Sequence, residues 1–458
     1  MKNNIGRLFR FFVLAFTAIV LALTNLAVLQ RPQMVNSAYN SGRLAGWDSQ
    51  SRRGGIYARD GEVLAQSVPG ETKRRYQSSW AFAPVLGYFS PDLGASGLEA
   101  RYAEALTGSP PFWAALGLNT SLFGQGEDLV LTVDKALQEQ AMRLLAGRRG
   151  AVVVLDPKSG AVLALATQPS FDPAILERDW SKVSQDRAAP LLNRATQGLY
   201  PPGSTLKLVT LLAALTADQG TLERTYSCYG ELKLPGYMVR CPEAHGELSL
   251  SRALAVSCNV TFATLGLELG NKAMAVQAEK AGFNSVPQFD LPVTASSFPR
   301  GDPGPGETAQ RAIGQGQALT TPLTMAMLTA GLANGGVIMR PYLVSERRLA
   351  GRVVARTQPV QMSTLTTPEI AATVLPMLVE VTRKGTGRLA AISGLEVAGK
   401  TGSAENPHGP PHAWYVGFAP AEQPRVAVAV VVENSGSGGA VAAPIAANLI
   451  ATALKEVR

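Results

Sequence analysis

The sequence predicts an α+β fold: an antiparallel sheet with flanking helices, preceded by a smaller N-terminal domain and one apolar N-terminal helix. Three observations carry this expectation. Strand patterns come in hairpins and helical patterns in separate runs, rather than as alternating β–α units. Asp156-Pro157-Lys158-Ser159-Gly160 separates the apolar runs 151–155 and 161–166, which is a hairpin signal. The texture also changes near Leu129, where a loop-rich stretch gives way to periodic apolar patterns. The 458 residues, 46% hydrophobic and 17% charged, suit a globular chain with more than one core.

Taken in order, residues 11–29 run without a charge. Nineteen helical residues rise about 28 Å, enough for a bilayer core. Lys2, Arg7 and Arg10 precede the run, so the positive-inside rule places residues 1–10 in the cytoplasm and everything after Gln30 outside. The expectation is a single-pass membrane protein with an uncleaved anchor, because Ala27-Val28-Leu29 makes a poor cleavage site. Residues 30–148 read as the smaller domain, interrupted at Pro69-Gly70 and Ser109-Pro110-Pro111. A strand is expected at 129–133 and a helix at 135–145. Residues 149–458 form the larger domain, with a helix after Ser204, a central strand at 426–432 and a closing helix at 444–456. The net charge of +8 brings no basic run with interleaved aromatics, so nucleic acid is not an expected partner.

The chemistry starts at Pro201-Pro202-Gly203-Ser204-Thr205-Leu206-Lys207. The turn ends where an apolar helix begins, which puts Ser204 at or near a helix N-terminus, where free N–H groups favour an oxyanion. Lys207 lies one turn on, and a desolvated lysine can take the proton of a serine nucleophile. Ser-x-x-Lys alone is weak, since about one or two copies arise by chance in a chain of this length. Two further motifs follow it: Ser257-Cys258-Asn259 after a helical run, and Lys400-Thr401-Gly402-Ser403 after the strand-like 395–398. In this order the three are the signature shared by serine β-lactamases and penicillin-binding proteins. Ser257 suits proton relay to a leaving amine and Asn259 a hydrogen bond to substrate. Lys400 suits a fixed positive charge for a terminal carboxylate, and Gly402 close approach of substrate to the strand.

On these motifs the chain resembles a class B penicillin-binding protein, nearest to the short penicillin-binding protein A type. Arg53-Gly54-Gly55-Ile56-Tyr57-Ala58-Arg59-Asp60-Gly61, Gly94-Ala95-Ser96-Gly97-Leu98-Glu99 and Leu131-Thr132-Val133-Asp134 match the N-terminal pedestal of that family. Gly314-Gln315-Gly316, Ala333-Asn334-Gly335-Gly336, Gly385-Thr386-Gly387 and 413–419 match its catalytic part. The resemblance implies a D,D-transpeptidase: Ser204 attacks the penultimate D-Ala of a peptidoglycan stem peptide and expels the terminal D-Ala. The backbone N–H groups of Ser204 and Ser403 would form the oxyanion hole, and the Thr401 and Ser403 hydroxyls would hold the carboxylate. An amine from a second stem peptide then makes the crosslink, and β-lactams acylate Ser204. It also implies that no cofactor is required and that a polytopic glycosyltransferase is a partner. The family usually has Thr where this chain has Ser403.

All three cysteines fall in one span, Cys228, Cys241 and Cys258, with His245 between. In an exported domain Cys228 and Cys241 could pair as a disulfide, whereas Cys228, Cys241, His245 and Cys258 together make a complete structural zinc set. Either would brace the segment leading into Ser257. His408 and His412 are assigned no role. The competing functions are a D,D-carboxypeptidase or serine β-lactamase on the same fold, and a non-catalytic scaffold or β-lactam sensor. The stretch 291–298 lacks the acid a class A β-lactamase needs, and only about ten residues precede the anchor, too few for a signalling region.

Overall fold

The computed structural model describes residues 2–25, 53–68, 73–108 and 125–456. Pro69-Gly70, Ser109-Pro110-Pro111 and the last residues of the expected anchor lie outside them. The first helix is Lys2–Thr24, with Phe9, Phe11, Phe12, Leu14, Phe16, Leu21 and Leu23 exposed. Among the described residues no helix is long and apolar enough to cross a membrane.

The larger unit is built on a five-stranded antiparallel sheet. Its order is Ala398–Asn406, Gly409–Ala419, Val426–Val432, Gly150–Leu155 and Val162–Gln168. Val426–Val432 is Val-Ala-Val-Ala-Val-Val-Val and every residue is buried, so both faces of the sheet are covered. The helices Pro322–Ala333 and Ala442–Glu456 both pack on that strand. This explains a continuous apolar run where a half-solvated antiparallel strand would alternate. Each fully buried Val removes apolar area worth about 1.5–3 kcal/mol.

The helix Lys135–Leu145 begins as expected, with Asp134 Oδ1 accepting from Leu137 N at 2.9 Å. Its buried Gln138 is fully used: Nε2 donates to Ala81 O and Leu165 O, and Oε1 accepts from Leu165 N. One side chain thereby joins the helix Ser79–Leu86 to the central sheet. The expected domain boundary near 148 falls behind this helix, which packs on the strand Val162–Gln168.

The N-terminal sheet was not legible as a unit. Its order is Arg352–Arg356, Val344–Leu349, Asp128–Leu131, Ile56–Tyr57, Val63–Ser67 and Arg74–Tyr76. Two of its strands come from deep in the C-terminal half, as a hairpin that pairs antiparallel with Asp128–Leu131. Asp290 reinforces the junction, accepting from Tyr102 Oη at 2.6 Å and from Leu343 N at 2.5 Å. On the pedestal side Glu99 is fully buried between Arg53 Nε at 2.8 Å and Arg74 Nε at 2.6 Å.

Candidate active site

Three segments meet at one edge of the central sheet. The first is the 3-10 turn Gly203–Leu206, which runs into the α-helix Lys207–Ala217. Ser204 therefore sits on a tight turn feeding the helix rather than on the α-helix itself, still one turn before Lys207. Gly203 has φ +54°, and a Cβ there would lie 3.0 Å from the Ser403 carbonyl. Only glycine serves both demands, so the turn can rest against the edge strand. Gly203 N donates to Gly314 O at 2.9 Å, and Trp414 Nε1 donates to Pro201 O at 3.0 Å. Residues 207–215 are all buried. A helix apolar all round belongs inside a core, and it carries Lys207 in with it.

The second segment is the turn between the helices Leu250–Ala255 and Asn259–Lys280. Ser257 adopts φ +59°, a left-handed conformation that costs a β-carbon residue about 1–3 kcal/mol. The strain is held by Ser257 N donating to Leu254 O and Cys258 N donating to Ala253 O at 2.8 Å. The third is the strand Ala398–Asn406. The Lys-Thr-Gly-Ser motif lies inside this nine-residue strand, not after a strand ending near 398. A Cβ at Gly402 would meet Pro202 O at 3.1 Å and Thr205 Cγ2 at 3.0 Å, so its bare side admits the nucleophile turn.

These segments bring Lys207, Ser257, Asn259 and Lys400 into one network. Lys207 Nζ lies within hydrogen-bond distance of Ser257 O at 2.7 Å, Ser257 Oγ at 3.1 Å and Asn259 Oδ1 at 2.7 Å. Lys400 Nζ donates to the same Ser257 Oγ at 2.9 Å and to Thr401 O at 2.9 Å. Both lysines are fully buried. Burial pulls Lys207 down to about 7, the thiols of Cys258 and Cys241 opposing it. Burial, and then the neighbouring Lys207, hold Lys400 well below the usual lysine range. Two amines sharing one hydroxyl in low dielectric cannot both stay charged at little cost. The sequence suggested a fixed charge on Lys400; desolvation and the like neighbour work against its ammonium form. Among the described residues Ser204 Oγ makes no hydrogen bond, and such contacts commonly tighten only with substrate.

Other residues complete the site. Thr401 Oγ1 lies 2.6 Å from Thr386 Oγ1, whose Gly-Thr-Gly setting was the only sequence signal for it. Ser403 is exposed on the edge strand and its Oγ accepts from Gly438 N at 3.2 Å. Glu433 accepts from Tyr200 Oη at 2.8 Å and pairs with Arg194, anchoring the loop before the nucleophile. Nothing in the local sequence pointed to Glu433. His412 Nδ1 accepts from Asn434 N, and His408 is exposed.

The expected Cys228–Cys241 disulfide is not formed. The three cysteines are free and the Cys228 and Cys241 sulfurs are 3.7 Å apart. Cys241 lies equally close to Cys258, at 3.7 Å, and His245 Nδ1 is 3.4 Å from Cys228 Sγ.

Comparison with known proteins agrees with this geometry. The family model for the penicillin binding protein transpeptidase domain matches residues 150–451, and that for the penicillin binding protein A dimerisation domain matches 53–128. The peptidoglycan D,D-transpeptidase PbpA of Mycolicibacterium smegmatis is 35% identical over 455 residues, covering 89% of this chain and 90% of that protein. A ceftriaxone acyl-enzyme complex of penicillin-binding protein A from M. tuberculosis superposes with TM-score 0.82 at 33% identity, covering 90% of this chain and all of that one. A D,D-transpeptidase domain from Eggerthella lenta gives TM-score 0.83 at 35% identity, covering 89% and 99%. With a serine on a tight turn, two buried amines behind it and these relatives along most of its length, the chain belongs to the penicillin-binding protein transpeptidase family.

Proposed function

We propose that this protein is a peptidoglycan D,D-transpeptidase working through a Ser204 acyl-enzyme, with β-lactams as inhibitors. The observation that carries the reading is the pair of buried amines on Ser257 Oγ, at 3.1 Å for Lys207 and 2.9 Å for Lys400. A neutral Lys207 accepts the proton of Ser204 Oγ as that oxygen bonds to the carbonyl carbon of the penultimate D-Ala. The proton passes through Ser257 to the terminal D-Ala amine as its C–N bond breaks. The backbone N–H groups of Ser204 and Ser403 bind the oxyanion. The Thr401 and Ser403 hydroxyls bind the substrate carboxylate, whose arrival restores the charge of Lys400. Asn259 aligns the stem peptide. An amine of a second stem then attacks the ester, forms the crosslinking amide and returns the proton to Ser204.

The finer assignments follow from the same reading. Residues 11–29 anchor the chain, supported by the apolar side chains left uncovered on the helix Lys2–Thr24. The catalytic unit then faces outward and the first ten residues lie in the cytoplasm. Residues 30–148 serve as the pedestal and 149–458 as the catalytic domain, with a polytopic glycosyltransferase as partner. Acyl transfer through serine needs no cofactor, and a metal would have only a structural part.

Intact-mass spectrometry of the full chain in detergent with benzylpenicillin tests the proposal. A lasting adduct on the Ser204 peptide, absent in Ser204→Ala, supports it. Rapid turnover without an adduct points to a β-lactamase, and no reaction from folded protein points to a scaffold. Stem-peptide substrate with and without an acceptor amine separates crosslinking from carboxypeptidase hydrolysis.

A further inference from the structure

The strand Ala398–Asn406 is the outer strand of the central sheet, bonded within it to Gly409–Ala419 on one side only. The nucleophile turn rests against part of its other side. A Cβ on Gly402 would meet Pro202 O at 3.1 Å, and a Cβ on Gly203 would meet Ser403 O at 3.0 Å and Ala404 Cα at 3.1 Å. Glu405 is the first residue past that contact and the only acid in this nine-residue strand. Ser403 and Glu405 are exposed while Ala404 between them is fully buried, so the two share one face of the strand.

The end of the strand is held in shape. Asn406 Nδ2 donates to Pro410 O at 2.8 Å and Asn406 Oδ1 accepts from His408 N at 2.9 Å, which closes the turn just beyond Glu405. The hairpin of Glu231–Leu234 and Tyr237–Arg240 reaches the same place. Its last residue, Arg240, offers a carbonyl to Asn259 Nδ2 at 2.8 Å. Burial, and then the Glu405 carboxylate, raise the Tyr237 phenol above its usual value, which puts these two side chains near each other. Tyr237 is backed by the helix Pro305–Ala312, where a Cβ on Gly306 would lie 3.0 Å from Tyr237 Cβ. The acid of the hairpin, Glu231, already has Lys233 at 3.3 Å. Among the described residues the Glu405 side chain makes no ion pair or hydrogen bond.

Substrate direction fixes what meets this residue. In the acyl-enzyme reading the terminal carboxylate goes to the Thr401 and Ser403 hydroxyls, and the carbonyl of the penultimate D-Ala to the Ser403 N–H. An extended peptide laid on this edge therefore runs onward from Ser403 toward Asn406, one residue per about 3.3–3.4 Å. The residue before the penultimate D-Ala, third in the stem, then lies alongside Ala404 and Glu405. A diamino acid there carries its ammonium on a chain long enough to meet the Glu405 carboxylate. Ammonium to carboxylate is a charge-assisted contact, and an aromatic ring such as that of Tyr237 receives either methylenes or a cation.

Resting on that acyl-enzyme reading, we propose that Glu405 determines donor specificity by binding the free side-chain ammonium of a diamino acid at the third position of the donor stem peptide. Tyr237 completes the subsite and Asn406 positions it. A stem whose amine is already acylated in a crosslink has lost that charge, so it is a poor donor. The reaction before this one must therefore deliver stems with the amine free, and each stem serves as donor before it serves as acceptor.

The test uses the full chain in detergent and three γ-linked pentapeptide donors ending in D-Ala-D-Ala, with lysine, Nε-acetyl-lysine or norleucine at position three. D-Ala release should favour the lysine donor about three- to tenfold at low salt, and the preference should shrink at high salt. Glu405→Gln should level the three donors to within about twofold, and Glu405→Lys should favour the two neutral ones. Wild-type protein that treats the donors alike overturns the proposal, as does a Glu405→Gln variant that keeps the preference. If no donor is turned over, formation of a benzylpenicillin adduct judges the acyl-enzyme reading. Calorimetric binding of the three peptides to Ser204→Ala then judges Glu405 on its own. Equal binding there, or none, sinks the subsite. Tighter binding of the lysine peptide, lost when Glu405→Gln is added, supports it.

Discussion

In the pedestal, Glu99 is buried between Arg53 and Arg74, each within 2.8 Å. At the candidate active site, Lys207 and Lys400 are buried just as deeply, and their hydrogen-bond partners are hydroxyl, amide and carbonyl oxygens with no carboxylate among them. Burial raises the pKa of Glu99, but Arg74 and then Arg53 outweigh it, so its carboxyl stays below the usual range. At the two lysines nothing outweighs burial, and both amines are pushed toward the neutral form. A compensated buried charge holds structure together, whereas an uncompensated one is left ready to change protonation state. The same physical term, desolvation, thus yields a rivet in one region and a base in the other.

The comparison can be broken or sharpened by experiment. The largest effect should come from the candidate active site: Ser204→Ala gives no benzylpenicillin adduct, and Lys207→Ala slows acylation by about 10²–10⁴-fold. Thermal melts of both should stay near wild type. Normal acylation by Lys207→Ala would assign the base elsewhere.

Glu99→Gln should do the reverse. Leaving Arg53 and Arg74 without their carboxylate costs about 3–5 kcal/mol, read as a lowered melting temperature, while the folded variant acylates at the wild-type rate. Since the folded pKa of Glu99 is depressed, its stabilisation is present above the ordinary glutamate value and lost as pH falls through the folded one. The gap in melting temperature between wild type and variant should therefore close in acid. A gap independent of pH would show that the carboxylate charge is not what holds the pair of arginines.

The pH profile is a milder probe. With Lys207 lowered to about 7, acylation should rise as pH climbs through that value and level off above it, since the neutral amine is the base. The linkage sign follows: between about 7 and the ordinary lysine value near ~10.4 the unfolded chain binds more protons, so this residue makes stability rise with pH. A profile flat from pH 6 to 9 would contradict a Lys207 base. The smallest effect expected is Ser403→Thr. It keeps the hydroxyl on an exposed strand position and should change acylation by about twofold, or ~0.5 kcal/mol. A loss beyond tenfold would mean that the added methyl blocks the carboxylate site.

Much of this was written locally in the chain. The helix at 135–145 and the strand at 426–432 are present with the expected limits, because apolar period and an Asp134 cap act over a few residues. The three motifs were legible because nucleophile, amine and relay must be of fixed type at short spacing. Their meeting was not, since Ser204, Ser257 and Lys400 are brought together only by the packing of the nucleophile turn, the helix junction and the edge strand. Packing also set Gly402 against the nucleophile turn and buried Lys400. It recruited Glu433 from beyond any local pattern and carried the hairpin at 344–356 into the N-terminal sheet. The cysteines show the division most clearly. Sequence supplied three cysteines and a histidine within about thirty residues and left pairing and metal both open, while the tertiary structure set their separations at 3.4–3.7 Å. Residue type and short-range period belong to the sequence. Distance between remote side chains, and the dielectric around each, exist only once the core has closed over them.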